Sequence, residues 1–372
     1  MKPIKCKKLD LLCVIILLSL QYRVNCVWPE IYILGAQKSG TTSLYDLIVQ
    51  KKQICQANCT YRSKQCFSTK EIHFFDVLDR FSKGSETYTS LFPKSKCIGR
   101  FIDGTPDYFH TDKVPERMAS MIPENIRKKL KFVISLREPI DRDFSMFEHL
   151  LRGCSAFLQE THKSTSHQHI CGNRYCYHTA KICHKNIKFS NNDLTNHRRL
   201  NVYNFTTNMI HNNSSDQLYH HRKLKLASSL YISYDEFVQF RLDTHLQSPS
   251  PTALTRGLYY SQLLKFLQIF DRKQFFIISF SSLLLDTTNI ANRLARFLGM
   301  SSGYGEKVLL PHDNASNGPR AVAVLKCTTK RRLEMLYKSD TTKLYEMMRN
   351  KLNSPPDEPH FVEFGSSKVT CV

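Results

Sequence analysis

One tryptophan stands in 372 residues, beside 23 Phe and 17 Tyr, so aromatic side chains sufficient for a large core are present. Glycine (13) and proline (14) are too scarce for a collagen-like or low-complexity chain. Acidic residues are in deficit: 32 Asp and Glu face 53 Lys and Arg, which leaves a net charge of +21. Apolar residues make up 41% and charged residues 23%, a globular composition that excludes a disordered tail. At ~100–200 residues per domain the length fits one large domain or two ordinary ones. The basic excess favours a polyanionic partner: nucleic acid, an acidic membrane face or an acidic polysaccharide.

Two further lacks narrow the choice. The N-terminal apolar run, Leu11 to Leu20, falls short of the ~20 residues of a spanning helix. It follows Lys2, Lys5, Lys7 and Lys8 and precedes Arg23 and Val24-Asn25-Cys26, the order of a secretory signal. Stretched from Leu9 to Trp28 it gains length but takes in Asp10 and Arg23. Residues 1–27 are therefore expected to be a signal peptide or an uncleaved signal anchor, which counts against a nuclear role. Paired C-x2-C spacing is also missing, so the 13 cysteines do not form a zinc ribbon. Outside the leader ten remain, at 55, 59, 66, 97, 154, 171, 176, 183, 327 and 371. An even count in a secretory chain reads as disulfides, with the pairing left open. Sequons at Asn58, Asn204, Asn212, Asn213 and Asn314 agree with that compartment.

Short apolar runs alternate with helix-like segments. Ile31 to Leu34 enters a Gly-containing turn, and Thr42 to Val49 then places Leu44, Leu47 and Ile48 on one side. Lys131 to Leu136 is a second strand candidate, followed by Arg137-Glu138-Pro139 and a helix from Asp141 to Leu151. Phe275 to Phe280 is a third, between helices from Leu258 to Phe270 and from Asn289 to Leu298. Strands alternating with helices predict an α/β domain with a mostly parallel sheet. From about 152 to 228 the apolar periodicity fades. Ten of the 15 histidines lie between His149 and His221, and the stretch reads as a long Cys/His-rich, glycosylated insertion.

The central motif is Gly35-Ala36-Gln37-Lys38-Ser39-Gly40-Thr41-Thr42, between a strand and a helix. Backbone N–H groups and the positive helix end there converge on one point, a ready anion site. Lys38 adds a mobile charge, and Ser39, Thr41 and Thr42 add hydroxyl donors. A nucleotide-hydrolase loop needs Lys where Thr41 stands, and the next strand ends in Arg137 rather than in an Asp that would hold magnesium. An anion held without metal is the expectation.

This loop resembles the 5′-phosphosulfate loop of sulfotransferases that use 3′-phosphoadenosine 5′-phosphosulfate, and most of all the Golgi glycosaminoglycan sulfotransferases: the heparan sulfate 3-O and N enzymes and the chondroitin enzymes. Three more blocks carry the resemblance: Lys70-Glu71-Ile72-His73-Phe74-Phe75-Asp76; Thr105-Pro106-Asp107-Tyr108-Phe109 with Lys113 to Arg117; and Leu136-Arg137-Glu138-Pro139 with Arg142 and Ser145. With a weaker echo from Gly257-Leu258-Tyr259 through Phe275 to Phe280 to Arg296-Phe297-Leu298-Gly299, the matches cover about 30–150 and 230–300. The resemblance implies a P-loop-like three-layer domain over 28–372, interrupted at about 152–228. It implies Lys38 at the leaving group, Glu71 as base, and Arg137 and Ser145 on the 3′-phosphate; His73, two residues after Glu71, is expected to face the same side of an extended segment. Lys38, Ser39, Gly40, Thr41 and Thr42 would hold the phosphosulfate, with Arg256 as a further contact. Sulfuryl transfer asks for this set: a cation where charge develops on the leaving oxygen, and a proton acceptor at the nucleophile.

One departure stands out. Many heparan sulfate members carry an acidic–Lys pair before T-P-x-Y-F, whereas here it reads Asp103-Gly104. The reading is thus a metal-independent sulfotransferase of the Golgi lumen, membrane-anchored or secreted, acting on heparan or chondroitin sulfate and not on nucleic acid. Basic clusters at Arg127 to Lys129 and Lys330 to Arg332 read either as solvated helix faces or as contacts for such a polysaccharide. The rivals are a non-glycosaminoglycan acceptor and a catalytically inactive heparin-binding protein.

Overall fold

The computed structural model describes residues 27–60, 63, 66–160, 176, 179, 232–244, 254–300, 303–310, 321–350 and 354–372. Residues 1–26 of the leader, most of the 152–228 segment, its histidines from 162 to 221, and the sequons at Asn204, Asn212, Asn213 and Asn314 lie outside them.

In chain order the described elements are β1 (Ile31–Gly35), α1 (Thr41–Val49), β2 (Ile54–Cys55), β3 (Arg100–Asp103), α2 (Val114–Met121), β4 (Lys131–Leu136), α3 (Pro139–Glu160), α4 (Tyr234–Thr244), α5 (Tyr259–Leu267), β5 (Phe275–Ser279), α6 (Phe280–Leu285), α7 (Thr287–Phe297), β6 (Val324–Leu325), α8 (Cys327–Arg349) and β7 (Thr370–Cys371), with short helical turns between. The chain divides into two compact units, one of 1–137, 258–315 and 339–365, the other of 138–257, 316–338 and 366–372.

The first unit is built on one sheet of order β2-β3-β1-β4-β5. Every pairing in it is parallel. Parallel strands need crossovers, and the crossover helices cover both faces, so the strands read as continuous apolar runs. Side chains still alternate. Tyr32, Leu34, Phe132, Ile134, Phe275 and Ile277 enter one core with α2 and α5. Ile31, Ile33, Val133, Phe276 and Ile278 enter the other with α1 and α7. The result is the expected three-layer α/β arrangement. Helix α5 is held at its start by Asp340, which accepts from the Tyr260 and Ser261 N–H groups at 2.8 and 3.0 Å.

In the second unit the buried carboxylate of Asp143 on α3 takes both ends of the Arg241 guanidinium, at 2.7 and 2.6 Å, and the Tyr234 hydroxyl at 3.0 Å. The segment after Gly365 returns to the start of α3, where Asp141 accepts from Ser367 Oγ and the Lys368 N–H. Strands β6 and β7 pair beside the Cys327–Cys371 disulfide. Cys55–Cys97, Cys59–Cys66 and Cys154–Cys176 are also joined.

Helix α3 continues well past Leu151, to Glu160, so the segment expected to be an insertion from 152 begins as helix. Eight elements were not foreseen: β2, β3, α2, α4, α6, β6, α8 and β7. β2 has two residues, and β3 is Arg-Phe-Ile-Asp, too short to show a period. Helix α8 is mostly polar, and its buried positions Leu333, Tyr337, Leu344 and Met348 are spread over a long charged segment.

Phe132 shows how the core responds to damage. It is fully buried, with the rings of Tyr32, Phe266, Phe270 and Phe275 centred 4.8–5.9 Å or 6.2 Å away. Phe132→Ala is expected to destabilise by about 3–5 kcal/mol in urea unfolding. Leu285→Ala, at an exposed position, should stay within about 0.5 kcal/mol.

Candidate active site

The site gathers where the parallel strands β1, β3 and β4 end, the edge at which open α/β sheets place their ligands. β1 ends at Gly35, and the chain crosses to α1 in five residues. A side chain at Gly35 would press on Phe109 Cβ at 2.7 Å. Gly40 has φ 80°, and a Cβ there would lie 2.6 Å from the Phe280 ring, so both backbone conformation and space require glycine. Lys38 also takes the left-handed region, at φ 71°. A non-glycine residue held there signals a loop shaped for something other than local comfort. Ser39 is fully buried, and its Oγ has no partner among the described residues. No side chain caps α1. A buried unpaired hydroxyl costs about 1–3 kcal/mol. An incoming acceptor atom would remove that cost, so the loop fits a phosphate-type anion.

Arg137 follows β4 and reaches this loop. Its Nη1 donates to the Lys38 carbonyl at 3.4 Å, and its guanidinium lies over the Phe280 ring at 5.5 Å. The Tyr259 hydroxyl fixes the Arg137 carbonyl at 2.8 Å. Lys38, Ser39, Gly40, Thr41, Thr42 and Arg137 therefore share one place. Ser145 lies half-buried on α3 and Arg256 buried in a short turn, both in the second unit.

The Glu71–His73 segment was expected to be extended. It is a loop, and His73 has φ 54°, yet the two side chains still meet: His73 Nε2 is 3.5 Å from Glu71 Oε2. On its other side His73 Nδ1 is 2.6 Å from Asp76 Oδ2. Asp107 stands 3.9 Å from the same nitrogen. Lys70 Nζ bridges Thr42 Oγ1 at 2.8 Å and Glu71 Oε1 at 2.9 Å. A continuous polar row thus runs from the anion loop through Lys70 and Glu71 to His73 and Asp76.

The backbone of this loop hangs on residues the sequence reading quoted without assigning a role. Thr105 Oγ1 accepts from the N–H groups of Ile72 and His73, at 2.9 and 3.1 Å. The Tyr108 hydroxyl accepts from the Phe74 N–H at 3.0 Å. Both hydroxyls donate in turn to Asp103, at 2.6 and 2.8 Å, and Tyr88 joins them at 2.8 Å. The T-P-x-Y-F block held this signal, but pairing it with the loop needs contacts across about thirty residues.

Charge follows from these contacts. Burial pushes the Glu71 carboxyl up, but hydrogen bonds and charge from His73 and Lys70 outweigh it, and the group sits below its ordinary value. Burial alone would lower His73, yet Asp76 and Glu71 hold its proton and push it up to about 10. At neutral pH the pair is carboxylate beside imidazolium. His73, Asp76 and Asp107 also offer three ligand atoms within 4.8 Å of one another, so a cation at that spot would compete with the imidazole proton. Of the basic clusters, Arg127 is committed to the Ala119 carbonyl, Lys128 pairs with Glu124, and Arg332 with Asp243.

Comparison with known proteins agrees in kind. Residues 29–183 and 202–317 match the family described as Sulfotransferase domain. Over 125 residues the chain is 31% identical to heparan sulfate glucosamine 3-O-sulfotransferase 5 of Mus musculus, covering 34% of this chain and 32% of that protein. Over 123 residues it is 32% identical to bifunctional heparan sulfate N-deacetylase/N-sulfotransferase 4 of Mus musculus, covering 32% and 13%. The matched stretch thus spans at most about a third of these relatives. Among solved structures, a sulfotransferase from Alicyclobacillus acidocaldarius aligns with TM-score 0.47 and 18% identity, over 88% of this chain and 98% of that one.

Two measurements test the geometry. Thr105→Val leaves the Ile72 and His73 N–H groups buried without their acceptor. It should cost about 1–3 kcal/mol in urea unfolding and speed amide exchange at both positions. His73 holds its proton more tightly folded than unfolded, so its contribution is complete below about pH 6.5 and fades as pH rises through about 10. The stability difference between wild type and His73→Gln should shrink over that window.

Proposed function

The chain belongs to the sulfotransferase domain family, and we propose that it transfers a sulfuryl group from 3′-phosphoadenosine 5′-phosphosulfate to a hydroxyl or amine of a carbohydrate, with a glycosaminoglycan as acceptor. The observation that carries this reading is the bridge from Thr42 of the anion loop through Lys70 to Glu71. An anion cradle and an ionised carboxylate are held together, as transfer from a phosphate leaving group to a protonated nucleophile requires.

The nucleotide supplies a sulfuryl group already activated on a phosphate. Lys38, Ser39, Gly40, Thr41 and Thr42 hold that phosphate end, and Arg137 with Ser145 holds the 3′-phosphate. Ser145 enters through the R-E-P-x-x-R-x-x-S block alone. Lys38 stabilises the negative charge that grows on the leaving oxygen. Glu71 accepts the proton of the acceptor hydroxyl as the new sulfur–oxygen bond forms. His73, as an imidazolium fixed by Asp76, holds Glu71 in aim and keeps its charge balanced. In this reading the cationic side chains do the neutralising, so no step is assigned to a metal.

Relatives named for heparan sulfate 3-O- and N-sulfotransferase activity support an acidic polysaccharide acceptor, as does the +21 charge. The paired cysteines suit an oxidising compartment. With the leader read from residues 1–27, we place the enzyme in the Golgi lumen, retained by that segment or secreted after its removal. No described helix is long and apolar enough to cross a membrane. The catalytic domain is read as 28–372, with the insertion near 152–228.

Transfer of radiolabelled sulfate to desulfated heparan, chondroitin and dermatan chains tests this reading. Wild type should label one polymer, and Glu71→Gln and Lys38→Ala should each lose about 10²-fold or more. Binding of adenosine 3′,5′-bisphosphate without label on any polymer would favour an inactive heparin-binding scaffold or another acceptor. Failure to bind that nucleotide would sink the reading.

A further inference from the structure

Lysine is a flexible side chain that usually keeps its charge in water. Lys70 is held along its whole length. The Gly104 N–H donates to its carbonyl at 2.9 Å, and Tyr45 OH donates to the preceding carbonyl of Thr69 at 3.1 Å. Its stem runs past Gly104, where an added Cβ would come within 3.3 Å of Lys70 Cγ and 2.7 Å of the Tyr45 ring. The absence of a side chain at 104 is what leaves this channel open. At the far end Nζ has two partners from different halves of the site, Thr42 Oγ1 and Glu71 Oε1. Its side chain is 15% exposed.

A hydroxyl has one hydrogen to give and two lone pairs to receive. With the ammonium donating to the Thr42 oxygen, the Thr42 hydrogen turns elsewhere, free to donate to an anion in the loop. The same ammonium fixes one oxygen of Glu71, while His73 faces the other. We propose that Lys70 is a positioning residue that couples the donor loop to the base: it orients the Thr42 hydroxyl for the donor phosphate and holds the Glu71 carboxylate in register with it, in a channel opened by Gly104. This rests on the sulfotransferase reading and adds to it a link between donor binding and acceptor activation. By reciprocity, whatever the donor anion does to Lys70 is felt at Glu71, and the charge state of Glu71 is felt by the donor.

The test has two arms, and one needs no turnover. In the first, adenosine 3′,5′-bisphosphate binding is measured for wild type, Lys70→Met, Thr42→Val and the double variant. Each single change should weaken binding about tenfold, and the double variant should be little worse than either, because the two act as one unit. In the second, the carbon-13 titration of the Glu71 carboxyl and the acid limb of kcat/KM are followed with pH. Both should move upward in Lys70→Met and stay in place in Lys70→Arg, which keeps the charge. A residue that served only packing would lower activity without moving either. Additive binding losses together with an unmoved Glu71 titration would overturn the proposal. If wild type binds the nucleotide but labels no polymer, the function reading fails while the binding cycle and the titration still decide the role of Lys70. Gly104→Ala keeps every charged group and presses on Tyr45 and Lys70, so it should weaken nucleotide binding in the same direction. Unchanged binding there would count against the channel.

Discussion

The candidate base stands where it does because a buried carboxylate, Asp103, collects donors at the end of β3. Tyr88, Tyr108 and Thr105 all direct hydroxyls at it. Burial pushes its carboxyl up to about 6, and those hydrogen bonds oppose the rise. A buried charge is tolerated only when its lone pairs are taken. Here two of the groups that satisfy it are themselves acceptors for the loop above. Thr105 and Tyr108 pass the order of the sheet to the Ile72, His73 and Phe74 N–H groups. The loop bearing Glu71 and His73 has no regular secondary structure. Its precision comes from side-chain acceptors rooted in β3.

The anion loop solves a different problem by different means. It needs backbone directed at one point, so it relies on positions where a Cβ is forbidden or strained: Gly35 against Phe109, Gly40 against Phe280, and Lys38 in the left-handed region. Arg137 anchors the loop from β4 and brings a guanidinium beside it. In the proposed reaction the two halves carry opposite demands, cations for the leaving group and a carboxylate for the nucleophile. Unshielded, they would neutralise each other. Interposing Lys70 and balancing Glu71 with the His73 imidazolium keeps the carboxylate ionised without leaving its charge uncompensated.

Much of the fold was legible. β1, β4 and β5 are buried on both faces, so each reads as an apolar run whatever the period. α1 and α7 carry regular apolar stripes, and their expected positions agree with the observed ones within a residue or two. β3 escaped because two apolar residues between Arg100 and Asp103 show no pattern, yet it supplies Asp103. Helix α8 escaped because its buried positions are diluted among charges. The loop motif and Arg137 were both visible, and the sheet brings them together because β1 and β4 are neighbours. The extended reading of Glu71 to His73 misjudged the backbone: a two-residue spacing puts side chains together on a strand, whereas here a left-handed turn at His73 does so. Asp103-Gly104 read as a mere departure. Only the packed structure shows Asp103 as the anchor of the loop bearing Glu71 and His73, and Gly104 as the space beside Lys70.

Sequence alone determined the local chemistry: which strands are apolar on both faces, where a glycine-bearing turn opens a helix, and which cations and carboxylates lie near it in the chain. Those properties depend on neighbours within a few residues, so they are written in order. Tertiary structure decided everything that needs two distant segments at once. Asp103 meets Tyr88, Thr105 holds Ile72 and His73, Arg137 reaches Lys38, and Lys70 spans Thr42 and Glu71. Hydrogen bonds act over about 3 Å, and no spacing along the chain states which residues a five-stranded parallel sheet will bring that close.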